Sequence, residues 1–363
     1  MFIIRRLLGW GSSPPLSPEI DNYARVLVGD LTGRILTELE LDVGPVAWRL
    51  NKETRVKFQI ARSDPKAIED YLRFGNRILV QFENGLPDWG GIIDPPRKWS
   101  KDGSSIEFTA YSGEQLLKQR QTGKARSFSS ATVGYIYQSL IEDANVVADT
   151  GISIGDVWGG GDTHSPMYHF DKVLEKIQQR LTDRLSSADF VISASESGGY
   201  IVFTAHFYER RGSEKPNVAL LEGHNLIQIE LVEQGTIVNS WAIVGEGSTW
   251  GDERLVGYAE DADSIAEFGL REDSEVHSDV AEQASLDAIA ANRLAGTARP
   301  HNMLALEAAN LAPAAFSDYD VGDSVRVVLH SYGFGGYDKM VRVIAREYAP
   351  SAGTCTLVVR EEE

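Results

Sequence analysis

The residues best suited to chemistry are few and scattered. Asp162, His164 and His169 fall within one glycine-rich stretch, GGGDTHSPMYHF, and carboxylate with imidazole at that spacing could coordinate a divalent metal. No HExxH or Cys–His zinc pattern accompanies them, and no rigid element fixes a further ligand nearby, so a solvated loop is the simpler reading. Acid pairs such as Asp261 with Asp263, or Glu272 with Asp273, raise the prospect of acid–base work. A glycosidase pair needs one carboxyl in an apolar pocket at a set distance from the other, and neither condition is visible. The glycine-rich YGFGGYDK lacks both the Lys-Ser or Lys-Thr and the capped helix start that would aim amides at a phosphate. GEGSTWG sets its glycines at the wrong offsets around Ser248 for a nucleophile elbow. Cys355, the single cysteine, lies in the alternating run TCTLVV and reads as a small buried hydrophobe. No catalytic residue, cofactor or metal is expected, and the chain reads as a non-enzyme.

The elements around these residues are mainly strands. With 363 residues and 42% hydrophobic content, the chain has room for several cores, and a net charge of −18 excludes an extended nucleic-acid or anionic-membrane footprint. Residues 1–20 form an N-terminal arm in which Arg5 and Arg6 interrupt the apolar run, unlike a signal peptide, before the semi-extended SSPPLSP. No other window approaches the ~20 apolar residues of a membrane span, so a protein made in the cytosol without membrane insertion is expected. From 21 to 118, ARVLVGDLTGRILTELEL, RVKFQIA, NRILVQF, GGIID and SIEFTAY spell a small antiparallel barrel. Residues 119–218 read as an inserted α+β domain. Its first helix starts near Ser130 with a stripe of Val133, Ile136, Tyr137, Leu140 and Ile141. A second helix runs from Asp171 to Ser186, and a hairpin turns at Gly198 and Gly199. Residues 219–247 and 303–363 form a second, split barrel around an acidic and helical insertion, 248–302, in which Asp279 and Glu282 are spaced as a capping box with Gly296 and Pro300 as stops. The fold class is thus mainly β with α+β insertions.

The two strand-rich units repeat each other. Separations along Val56, Gly75, Ile92 and Ile106 match those along Met303, Gly322, Val341 and Cys355 to within two residues at every step, and each unit opens with a strand pair turning near a glycine, Gly33 or Gly235. Trp89 with Gly90 and Gly91, and Tyr332, Phe334 and Tyr337 with Gly333, Gly335 and Gly336, occupy corresponding loops. Those aromatics either cap their own barrels or serve as assembly contacts, where Trp and Tyr are effective anchors.

The order of segments resembles the baseplate or tail-tip hub proteins of tailed bacteriophages, including the tail-associated hubs of siphophages. The resemblance rests on ARVLVGDLTGRILTELEL, VKFQIARSDP, GNRILVQFE, WGGIIDPPRKW and IEFTAYSGEQLLKQR, then a middle domain, then DADSIAEFGLRED, a helix and LAPAAFSDYDVGDSVRVVL. It implies a virion protein of the tail tip, assembled in the host cytoplasm. Three copies would form a homotrimeric ring of six barrels that joins the hexameric tail tube, the distal tail protein and the tape-measure protein to a threefold central fibre or spike, with DNA passing through during ejection. The chain closes on VVREEE right after its last strand, where larger relatives carry a peptidase, lysozyme-like or fibre-binding extension, so penetration is expected to belong to other proteins. The competing reading is a cell-wall hydrolase or carbohydrate-binding module active in the middle domain, which requires a cleft with a raised-pKa acid.

Overall fold

The computed structural model describes residues 24–99, 103–161, 163–182, 188–234, 237–247, 254–278, 280–299, 301–331 and 336–362. The N-terminal arm with Arg5 and Arg6, and Asp162, Ser186, Gly235, Asp279, Pro300, Tyr332 and Phe334, lie outside these residues.

The first unit contains β1 (Ala24–Gly29), β2 (Ile35–Leu39), β3 (Asp42–Val43), β4 (Val46–Arg49), β5 (Arg55–Ala61), a short helix α1 (Glu69–Leu72), β6 (Arg77–Phe82), β7 (Trp89–Trp99) and β8 (Ser105–Ser112). All but β4 form one sheet in the order β2-β1-β6-β7-β8-β5-β3. β5 shows the alternation of a one-sided strand, with Val56, Phe58 and Ile60 buried and Arg55, Lys57 and Gln59 exposed. β1 and β6 are apolar through their centres, Val26–Val28 and Ile78–Val80, because both faces are covered there. Val26, Val28, Ile78 and Val80 fill the barrel, while Leu27 and Leu79 point into the core of the next unit.

That unit holds α2 (Glu114–Lys118), β9 (Arg126–Ser127), β10 (Ala131–Thr132), α3 (Val133–Val147), β11 (Ile152–Val157), β12 (Thr163–His164), β13 (Met167–Tyr168), α4 (Val173–Thr182), β14 (Asp189–Ser197) and β15 (Tyr200–Tyr208). α3 starts at Val133, not at Ser130, whose φ of 46° is left-handed; Thr132 caps it, its side chain accepting from the Tyr135 amide at 3.4 Å. The stripe Ile136, Tyr137, Leu140 and Ile141 packs with Phe190, Phe203 and Phe207 of the sheet β11-β15-β14. The β14–β15 hairpin turns at Gly198 and Gly199, and its tip is stitched to the β1–β2 turn, Ile35 donating to Gly199 O at 2.9 Å and Ile201 to Gly33 O at 2.7 Å.

The remainder comprises β16 (Glu214–Leu221), β17 (Leu226–Gln234), β18 (Ser240–Val244), β19 (Val256–Glu260), α5 (Ala262–Phe268), β20 (Glu272–Val276), α6 (Gln283–Thr297), β21 (His301–Ala309), β22 (Ser324–Leu329), β23 (Tyr337–Ala349) and β24 (Thr354–Glu361). The second barrel sheet runs β16-β22-β23-β24-β21-β17. Its central order β22-β23-β24-β21 reproduces β6-β7-β8-β5 strand for strand.

The equivalence extends to single hydrogen bonds. Gly75 donates to Ile93 O and Gly322 to Val343 O, both at 2.7 Å, while Ile93 donates back to Asn76 O at 2.8 Å and Val343 to Asp323 O at 2.9 Å. Both glycines have positive φ, 93° and 98°, a region that only glycine enters without strain. Ile93 pairs with Ala110, itself paired with Val56; Val343 pairs with Val359, itself paired with Leu304. Each strand then bulges, between Asp94 and Arg97 in one and between Val343 and Ala345 in the other. The true counterparts of Val56 and Ile92 are therefore Leu304 and Arg342, each one residue beyond that matched by spacing.

Three expectations are corrected. β16 begins at Glu214, ahead of residue 219, and pairs parallel with β22, so the second barrel is not wholly antiparallel. The cause is its point of entry: the chain leaves β15 beside the start of β22, where Ser324 donates to Ser213 O at 3.0 Å. β18 belongs to the inserted sheet β19-β18-β20 and not to the barrel, so the insertion begins near residue 237 instead of 248. Trp241 and Ile243 of β18 are buried with Leu286, Ile289 and Ala290 of α6, a tertiary choice that strand pattern alone does not reveal. α6 starts after Glu282, which makes no side-chain cap bond, and Gly296 lies in its last turn.

Candidate functional site

Of the aromatic residues singled out from sequence, Trp89 and Tyr337 are described, and both turn inward. Trp89 is 3% exposed, its indole Nε1 donates to Thr54 Oγ1 at 3.1 Å, and its ring lies 6.4 Å from Phe58, so it closes the first barrel and offers no outward contact. Tyr337 is 4% exposed and belongs to the second barrel's core, with the Lys339 ammonium 5.6 Å from its ring. Trp89 packs in the core of the first barrel and Tyr337 in that of the second. Of the three residues weighed against a metal site, Asp162 lies outside the described residues. His164 is buried on β12 opposite Ala131, His169 directs Nδ1 to Lys124 O, and no group of three metal-ligating side chains occurs among the described residues. Cys355 is a core residue whose thiol is pushed up by burial, against the pull of Arg346.

The structure also brings together three residues that sequence reading passed over. Register in the β14–β15 hairpin sets Val191 opposite His206, which places Ser193 on the same outer face as the imidazole. Ser193 Oγ lies 3.3 Å from His206 Nε2, and Asp156 Oδ2 lies 3.4 Å from His206 Nδ1, the order of a Ser-His-Asp triad. The ring rests over Gly155, where a Cβ would come within 2.5 Å of Cε1. Hydrogen bonding, however, sets the opposite polarity. The Asp156 amide donates to Nδ1 at 3.2 Å, which makes Nδ1 the acceptor and leaves the proton on Nε2, so Ser193 accepts and is not deprotonated. The trio is a surface hydrogen-bond chain.

The densest construction is the seam where both barrels and the middle unit meet. β4, encoded in the first unit, leaves its own sheet and pairs antiparallel with β23 of the second, from Arg49 opposite Ala345 to Val46 opposite Tyr348. The bulge after Val343 bends β23 toward it, and Leu50 donates to the bulged Ile344 O at 3.1 Å. Rings cross the same boundary: Trp48 lies 5.9 Å from Phe82, Phe82 5.4 Å from Tyr348, and Tyr348 5.8 Å from Phe316. Arg346, fully buried beneath them, donates at 2.6 Å to the carbonyls of Tyr319 and Phe316 and stacks on both rings.

Polar groups complete the seam. Asp189, at the start of β14, pairs with Arg342 of β23, both side chains only 3% exposed. Asp189 also accepts from the Arg211 amide at 2.8 Å, and Arg342 donates to Arg211 O at 3.1 Å and to Gly322 O at 3.2 Å. Arg211 reaches Asp320 at 2.7 Å, and the Ser213 amide donates to Asp323 at 2.8 Å. A cavity of about 80 Å³ lies alongside, lined by residues of all three units including Trp48, Trp89, Glu114, Ile192 and Arg211. Glu114 is buried, accepts from the Ile192 amide at 3.2 Å through Oε1, and has no partner for Oε2 among the described residues. Burial pushes its carboxyl above the usual range, partly offset by the Ser112 hydroxyl. Among the described residues this is the one carboxyl with a raised pKa, and the cavity beside it, about 80 Å³, has room for a few waters but not for a sugar ring.

No protein-family model and no curated sequence matches the chain. Solved structures do. The 43 kDa tail protein of prophage MuSo2 from Shewanella oneidensis is similar at 14% identity with a TM-score of 0.60, over 94% of this chain and 98% of that one. The tail protein from Neisseria meningitidis MC58 is similar at 13% identity with a TM-score of 0.61, over 94% and 97%. A type VI secretion system component of E. coli is similar at 10% identity with a TM-score of 0.54, over 89% of this chain and 74% of that one. The chain therefore has the β-rich fold of phage tail proteins along nearly its whole length.

Proposed function

We propose that the protein is the structural hub of a phage tail tip or baseplate. Three copies form a ring with pseudo-sixfold symmetry that connects the hexameric tail tube, distal tail protein and tape-measure protein to a threefold central fibre or spike. One observation carries this reading: a single chain contains two barrels with the same central strand order and the same glycine turn. Three such chains supply six similar modules around a threefold axis, which is what a joint between sixfold and threefold partners requires. The shared strand β4 supports it further, because the two barrels of one chain must hold a fixed relation for the ring to be regular. A net charge of −18 suits a channel that DNA crosses without adhering. The role needs packing surfaces and no catalytic centre.

Counting copies tests it. Electron imaging of assembled tails, averaged without imposed symmetry, is expected to show three copies and six barrels in one layer. A different copy number, or barrels in separate layers, refutes the ring. Zymography on purified cell walls tests the hydrolase alternative, and a cleared band would end the purely structural reading.

A further inference from the structure

The inserted sheet β19-β18-β20 is covered on one face only. Trp241, Ile243 and Ala259 pack toward α6, and a Cβ on Gly257 would meet the backbone of Leu286 at 2.3 Å. Register fixes the other face as three rows across the strands: Val256, Val244 and Val276; then Tyr258, Ala242 and Ser274; then Glu260, Ser240 and Glu272. Tyr258 is 68% exposed and Val276 55%, so this apolar surface lies open, with two carboxylates at one end. Glu260 accepts from Ser240 Oγ at 3.1 Å, and Glu272 makes no ion pair among the described residues. At ~3.3 Å per residue the valine row and the glutamate row are about 13 Å apart.

We propose that residues 2–10 of this chain, FIIRRLLGW, dock on that face, either in the same copy or in a neighbouring one. The segment supplies what the face lacks. Phe2, Ile3, Ile4, Leu7, Leu8 and Trp10 are apolar and adjoin two cations, Arg5 and Arg6, in a chain whose acids outnumber its bases 53 to 35. Apolar side chains cover the valine and tyrosine rows while the guanidiniums meet Glu260 and Glu272. Residues 11–23, up to the start of β1 at Ala24, give the segment a tether of up to about 45 Å at ~3.3–3.6 Å each.

Cysteine cross-linking in the full chain tests the proposal. Ile3→Cys is combined with Tyr258→Cys or, as a control, with Val147→Cys, which is 78% exposed on the middle unit. Cys355 is buried and stays silent. A docked segment gives disulfide formation with position 258 at least about tenfold faster than with position 147, through the higher effective concentration of a held partner. Adding Arg5→Glu and Arg6→Glu should abolish the difference. In parallel, deleting residues 2–10 should raise radical oxidation of Tyr258 severalfold. Equal cross-linking rates at the two positions overturn the proposal, and so does a Tyr258 equally protected with and without the segment, which would give the face to another occupant.

Discussion

Arg342→Met should be the most damaging single change at the seam. The guanidinium and the Asp189 carboxylate are each 3% exposed, so neither exchanges its partner for water when the other is removed. With Arg342 gone, Asp189 keeps one hydrogen bond among the described residues, from the Arg211 amide, and the carbonyls of Gly322 and Arg211 lose a donor. Stranding one member of a buried pair typically costs about 3–5 kcal/mol, whereas removing both together costs far less because no charge is left without a partner. Asp189→Asn alone should fall in the same range. The double variant should recover at least ~2 kcal/mol of the summed losses, within the coupling seen for residues in contact. Urea unfolding followed by tryptophan fluorescence reads all four corners of this cycle. Exposed pairs such as Arg326 with Asp338, 50% and 54% exposed, are screened by solvent and give a control in which coupling should be slight. Two single variants that add to the double within ~0.5 kcal/mol would refute the claim that a buried ion pair joins the middle unit to the second barrel.

Glu114→Gln tests the buried acid. A folded-state pKa raised by burial contributes stability that is present below the unfolded pKa and lost as pH rises through the folded one. Wild type should therefore lose urea resistance relative to the variant on going from pH 4 toward neutrality, and parallel pH profiles would show that the carboxyl is not desolvated. Gly75→Ala and Gly322→Ala separate the two turns. Both place Ala at positive φ, at a cost of about 1–2 kcal/mol. At Gly322 the new Cβ also meets the Arg211 carbonyl oxygen at 2.6 Å, whereas at Gly75 it meets only a Leu31 methyl at 2.4 Å, which can turn aside. Thermal denaturation should rank Gly322→Ala as the worse, and the reverse order would contradict this account of the seam.

What the sequence disclosed and what it concealed divide along the same line in both barrels. The four central strands of each barrel were legible, because β5, β6, β7 and β8 and their counterparts form the continuous centre of each sheet and carry patterns set by their own barrel. The partners of several flanking strands were not, since a flanking strand answers to whatever lies outside. β1 runs antiparallel to β6 while β16, in the corresponding place, runs parallel to β22, because the chain enters one barrel from its own turn and the other from the middle unit. β4, which no strand pattern singled out, is completed only by β23, about 300 residues away in the chain. β18 reads as a barrel strand and is claimed by α6. The aromatic positions failed for a related reason: Trp89 was chosen for residue type beside glycines, and type does not tell whether a ring faces its own core. The Ser193–His206 approach would have followed from register once the turn at Gly198 and Gly199 was fixed, but its hydrogen-bond polarity depends on a backbone amide that no motif encodes.

Divergence at the flanks with identity at the centre is what a ring hub should show. Copies of one module inside a single chain stay alike where they answer to their own packing and differ where they meet unlike neighbours. In a ring alternating first and second barrels, each module would have the same two types of neighbour only if its own chain's seam imitated the joint between chains. The seam here is elaborate, with a donated strand, a buried ion pair and a ring cluster, and the described residues of one chain contain it once. In the proposed ring the joint between chains would then be built differently, so the sixfold appearance would hold for the barrels and fail at the contacts between them, leaving the threefold axis as the symmetry that partners on the fibre side could read.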